Sequence, residues 1–221
     1  METELPINPL RPVHVREEVA NSISHGLALI LALAALPILL LSASRAGSAQ
    51  FTIGVAVFGV TIVILYLAST LYHSLTHERA KQFFRKVDHC AVFLLIAGSY
   101  TPFSLGVLRG PWGWTLLTIV WVLAVAGIAM KVIAGHRHWW LSMVLYLVMG
   151  WLAIVAVKPI FALVPLPGIL LIFAGGIAYS GGLAFFAAHR IQYNHFIWHL
   201  FVMAGTVCHY LAVLWYGHST V

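Results

Sequence analysis

His195 and His199 stand four residues apart at the start of a long apolar run, separated by Phe196, Ile197 and Trp198. On a helix, residues at this spacing share one face a turn apart, so both imidazoles can reach one metal ion. Ionisable groups at membrane depth are costly and mark function. An open, catalytic-type zinc site takes three protein ligands and leaves a position for water. The rest of the chain must therefore bring a further donor and a carboxylate to the same depth. His73 closes one apolar run, in Ser69-Thr70-Leu71-Tyr72-His73, and Asp88 opens another.

The elements that position these residues follow from composition. The chain has 221 residues, 62% of them hydrophobic and only 8% charged. A soluble domain of this size needs more polar surface, so the chain reads as an integral membrane protein. At about 20 residues per span, the apolar runs give an all-α bundle of seven transmembrane helices, near 20–41, 51–73, 88–108, 114–133, 139–157, 168–188 and 195–215. Residues 1–19 read as a polar cytoplasmic tail in which Glu17 and Glu18 begin a short interfacial helix, and 20–217 as one transmembrane domain. The first run is longer than the core of a signal peptide, so it is expected to be retained. Pro102 is expected to kink or break the third span. Ser74 to Val87, Gly135 to His138 and His189 to Asn194 read as loops, and Lys158 to Pro167 as a short external one. Cys90 and Cys208 fall inside spans and read as packing residues without a disulfide. Gly175, Gly176, Gly181 and Gly182 let the sixth span approach another helix closely, either inside the bundle or at a homo-oligomer face.

The net charge of +6 does not point to nucleic acid, because the basic residues flank the apolar runs. Nine lysines and arginines fall in one set of loops and three in the alternate set. That asymmetry places the N-terminus in the cytoplasm and the C-terminus outside. His73, Asp88, His195 and His199 then share the cytoplasmic leaflet, with Ser69 one turn deeper than His73.

Three imidazoles suit Zn²⁺, which lowers the pKa of a bound water toward about 7. Asp88 would ligate the metal directly or hold the water, unless it only caps the third span. Ser69 would donate to a developing oxyanion, unless it only packs between helices. His25 reads as a packing histidine before a partner of the ligands. His89 points about 100° away from Asp88 on a helix. His77, His136, His138 and His189 fall in loops and read as solvated, and His209 and His218 lie toward the opposite face of the membrane.

These residues carry a family resemblance. Glu18-x-x-Asn21-x-x-x-His25-Gly26, Ser69-x-x-x-His73, Asp88, Gly98-Ser99-Tyr100-Thr101-Pro102 and His195-x-x-x-His199 together resemble the progestin and adipoQ receptor family, in its bacterial hemolysin III-type branch. The resemblance covers nearly the whole chain. It implies a seven-helix bundle with a cytoplasmic N-terminus, and zinc held by His73, His195 and His199. Asp88 would then contact the metal-bound water, with Ser69 beside it. Through alkaline ceramidases in the wider superfamily it implies hydrolysis of a lipid amide or ester.

The expected protein is thus a multi-pass protein of the bacterial inner membrane, a zinc-dependent lipid hydrolase with membrane lipids as partners. The alternative is a receptor-like sensor of membrane lipid homeostasis with structural zinc. A cytolysin fits least, since no secretion signal or amphipathic pore-former is visible.

Overall fold

The computed structural model describes residues 15–135, 139–188 and 190–218, and the regular elements among them are all helices. The helices are α1 (Val15–Arg45), α2 (Ala49–Ser74), α3 (Glu78–Leu105), α4 (Pro111–Ala134), α5 (Trp139–Gly150), α6 (Val157–Leu163), α7 (Leu166–Ala187) and α8 (Asn194–Tyr216). A 3-10 turn, Leu152–Ala156, joins α5 to α6. Six segments are long and apolar enough to cross a membrane: α1, α2, α4, α7, α8 and the stretch Trp139–Leu163. The helix outside that set is α3, whose first turns carry Glu78, Arg79, Lys81, Arg85 and Lys86. The outer faces are apolar, with Ile23, Leu27, Leu31, Val122 and Phe173 all exposed. Water does not tolerate such a surface on so many helices, whereas lipid does.

Several expectations are corrected. The first helix begins at Val15, so Glu17 and Glu18 belong to α1 itself rather than to a separate interfacial helix; residues 1–14 of the expected tail lie outside the described residues. The loop expected from Ser74 to Val87 shrinks to the link before Glu78, because His77 caps α3 by accepting from the Ala80 N–H at 3.4 Å. Asp88 therefore sits in the interior of α3 and caps nothing. Pro102 lies within α3, which continues to Leu105 unbroken. Lys158 and Pro159 are helical in α6 rather than in a loop. His136, His138 and His189 lie outside the described residues. Cys90 and Cys208 are free, as expected.

The Gly98–Pro102 stretch accounts for much of the packing. A Cβ on Gly98 would stand 2.2 Å from Thr61 Oγ1, so glycine there lets α3 lie close against α2. The Tyr100 hydroxyl donates to the Gly150 carbonyl at 2.9 Å and accepts from the Ala153 N–H at 3.0 Å. It thereby satisfies backbone groups freed where the Trp139–Leu163 stretch changes from α5 to the 3-10 turn. A broken helix persists in lipid only where such partners are supplied.

Glycine also sets the distance between α7 and α8. A Cβ on Gly182 would lie 2.6 Å from the Phe201 Cβ and 2.9 Å from the Trp198 ring. The glycine-rich face is therefore spent on packing inside the bundle, at least at Gly175 and Gly182, both buried against α8.

Candidate metal centre

The site forms at the end of the bundle where α2 finishes and α8 begins. Tyr193 takes a left-handed backbone conformation, φ 57°, immediately before α8. The Asn194 amide then donates to the carbonyls of Phe185 and Phe186 at 3.4 and 3.1 Å. These carbonyls lie in the last turn of α7, where few backbone donors remain; that of Phe185 also accepts from the Ala188 N–H at 3.0 Å. One side chain thus closes α7 and fixes the first turn of α8, which carries His195 and His199.

His73, His195 and His199 each offer a ligand atom, and the three atoms lie within 4.8 Å of one another. His73 Nε2 and His195 Nε2 are 3.1 Å apart. Two nitrogens bound to one tetrahedral zinc at 2.0–2.1 Å would be about 3.3 Å apart, so the spacing suits a shared ion.

The other ring nitrogens are held in the sense that leaves this possible. His73 Nδ1 lies 2.8 Å from Glu18 Oε2. A carboxylate only accepts, so Nδ1 carries the proton and Nε2 keeps a bare lone pair. The Ser24 hydroxyl gives its single proton to the Asn21 carbonyl at 2.9 Å and meets His199 Nδ1 at 3.2 Å. It therefore accepts from Nδ1–H, which leaves His199 Nε2 bare as well. A carboxylate or hydroxyl behind each ligand is the usual support of a metal-bound histidine. The donor set fits a zinc ion.

Asp88 is buried and lines the same cavity as His195 and His199, outside the three-imidazole cluster. Ser69 is fully buried with its hydroxyl near the Asp88 carboxyl, without a hydrogen bond of good geometry.

His25, expected chiefly to pack, is in close contact with His199. It stacks on His199 at 3.6 Å between ring centroids and 6° between planes. Glu18 and Ser24 are contributions that sequence reasoning missed. The signal was available for Glu18, since Glu18, Asn21 and His25 share a helix face at i, i+3 and i+7. His209 lies toward the other end of the cavity, with Nε2 at 3.2 Å from the Ile172 carbonyl.

The cavity is partly open, and the space between atoms in and before it is about 1150 Å³, open surroundings included. It runs from Asp88, His195 and His199 to Trp151, Tyr179 and His209, between α3, α5, α7 and α8. His199 and His209 are ten residues apart on α8, which makes it about 15 Å long along that wall. Its walls are mostly apolar side chains.

Comparison with known proteins agrees with this architecture. The profile described as Haemolysin-III related matches residues 13–210. The chain is 47% identical to Hemolysin-3 of Bacillus cereus over 202 residues, covering 91% of this chain and 92% of that protein. It is 46% identical to the Hemolysin-3 homolog of Bacillus subtilis (strain 168), covering 91% and 95%. The human monocyte to macrophage differentiation factor is 27% identical over 169 residues, covering 71% and 67%.

Proposed function

This chain belongs to the haemolysin-III related family and is a multi-pass protein of the cell membrane; from its site we propose that it is a zinc-dependent hydrolase of a lipid amide or ester. The observation that carries the reading is the convergence of three imidazoles, two with a bare nitrogen fixed by a partner, at the end of a long apolar cavity.

The reading includes seven crossings with the N-terminus in the cytoplasm. The seventh crossing is α3, whose later turns bury Phe93, Leu95 and Phe103. Its charged first turns then project toward the cytoplasm, where the excess of lysine and arginine belongs.

Zinc, held by His73, His195 and His199, would supply Lewis acidity at a carbonyl and activation of water. The chain supplies the rest. The apolar walls take the hydrocarbon of a lipid and keep bulk water from the reacting group. Asp88, as carboxylate, takes a proton from the attacking water and returns it to the leaving amine or alcohol. The Ser69 hydroxyl donates toward the oxygen on which negative charge develops. Glu18 and Ser24 hold the ligand rings in one tautomer throughout.

A second reading is a non-enzymatic lipid sensor with structural zinc. It is favoured by one feature: the ligands come from α2 and α8, with His73 and His195 separated by 122 positions, so an ion would tie distant segments together.

Metal content by mass spectrometry and lipid turnover, measured on the detergent-purified chain, separate the two. The hydrolase reading expects about one zinc per chain and release of fatty acid from a labelled ceramide or ester. Both are lost in His73→Ala and His199→Ala. Stoichiometric zinc with no product from any lipid, and variants that only melt earlier, would establish the sensor. Equal turnover by wild type and His73→Ala would sink the hydrolase.

A further inference from the structure

We propose that the cavity contains an anion seat built from Lys131 and Ser142, which receives the acidic headgroup of a single-chain lipid such as a fatty acid or alkyl phosphate. The seat is separate from the histidine cluster, and the inference does not rest on hydrolysis.

Lys131 is 5% exposed and Ser142 2% exposed, and both line the cavity. They lie three residues in from the facing ends of α4 and α5, hence at about the same depth, roughly 4.5 Å from those ends. The Ser142 hydroxyl is buried without a hydrogen-bond partner. Lys131 makes no ion pair or hydrogen bond among the described residues. A hydroxyl within a helix ordinarily turns back to a carbonyl of the preceding turn, and here Ser142 does not. A lysine near a helix end ordinarily reaches for water, yet this one is buried.

Its charged neighbour sharpens the point. Lys131 has both the Cys90 thiol and Arg85 in its electrostatic surroundings. Arg85 Nε is itself buried and without a partner, and Arg85 makes no ion pair among the described residues. A buried cation without a partner is unfavourable unless an anion joins it. Asp88, the acidic residue lining the cavity, is not within ion-pair distance of Lys131. Tyr146, one turn along α5 from Ser142, is already committed, with its hydroxyl donating to the His89 carbonyl at 2.8 Å. Lys131 and Ser142 thus remain free to donate to one incoming oxyanion. The apolar walls that continue toward Trp151 and Tyr179 suit a hydrocarbon attached to it.

The test uses the full chain in a non-ionic detergent, with dodecanoate, dodecyl phosphate, dodecanol and inorganic phosphate as probes. Wild type is expected to bind the two acids about tenfold more tightly than the alcohol, the gain of a charge-assisted hydrogen bond. Lys131→Met should abolish that preference, Lys131→Arg should keep it, and Ser142→Ala should weaken it. Zinc content, measured on the same samples, should not change, which separates this result from the fate of the metal site. Equal binding of acid and alcohol by wild type overturns the proposal without any variant. A preference that survives in Lys131→Met overturns it as well. Displacement of the bound acid by inorganic phosphate at equal concentration would assign the seat to a soluble anion and overturn the lipid part.

Discussion

Glu18, in the first turn of α1, holds His73, at the end of α2, through a 2.8 Å contact between Oε2 and Nδ1. The same oxygen lies 3.1 Å from Lys81 Nζ in α3. One carboxylate therefore joins three helices behind one of the three clustered imidazoles. Lys81 keeps Glu18 in place, and Glu18 fixes the His73 ring. Loss of such a partner typically lowers metal affinity about 10- to 100-fold. Glu18→Ala is expected to lose zinc to a chelator at concentrations that leave wild type loaded. Glu18→Gln still presents an acceptor oxygen to Nδ1–H, so it should lose less. Zinc retention in Glu18→Ala equal to wild type would show that the contact does not support the ligand.

His25 lies flat on the His199 ring, 3.6 Å away between centroids, while an ion held at Nε2 would lie in the plane of that ring. The two ring nitrogens of His25 are buried without hydrogen bonds, so its contribution is the flat surface that it offers. His25→Phe should preserve the stack and keep zinc binding near the wild-type level. His25→Ala should free the His199 ring and weaken binding by roughly tenfold. The measurement is competition against a zinc indicator. Equal losses in both variants would mean that the imidazole nitrogens themselves matter.

The sequence was most informative where chemistry and depth coincide. His73, His195 and His199 could be grouped because helix spacing gives one pair and the alternation of spans brings the third to the same end. In the structure their ligand atoms lie within 4.8 Å of one another. Span positions followed from hydropathy because lipid contact requires unbroken apolar runs. The start of α3 was obscured because its first turns are charged and read as a loop, while His77 at its cap left no strong signal. The break after Gly150 was hidden because its remedy lies in another helix, at Tyr100. The roles of Glu18, Ser24 and Lys131 depend on which residues face each other across helices, and periodicity alone does not supply that.

The packing of α7 on α8 can be tested without touching the metal. Gly182 faces Trp198, one residue before the ligand His199. Gly182→Leu would force the helices apart at that level, and overpacking costs about 1–3 kcal/mol. The expected outcome is a lower melting temperature in detergent. Weakened zinc binding should accompany it, because α8 carries two of the three ligands. Gly150→Ala is the control, since nothing lies within 4 Å of a Cβ there. A Gly182→Leu protein as stable as wild type would show that this interface yields easily.

Asp88 gives the sharpest division between a catalytic and a purely structural metal. It lies outside the histidine cluster, so zinc binding should not depend on its charge. Asparagine has the same shape and loses only the ability to take a proton. Asp88→Asn is therefore expected to retain zinc and its melting temperature. Loss of a positioned general base lowers turnover by roughly 10²- to 10⁴-fold, and lipid hydrolysis should fall by that order. Ser69→Ala should fall less, by the loss of one hydrogen-bond donor, with zinc again retained. Parallel measurements of zinc content, thermal stability and product release on the three proteins decide the matter. If Asp88→Asn loses zinc together with turnover, Asp88 acts as a ligand instead of a base. If it keeps both, the proton is handled elsewhere.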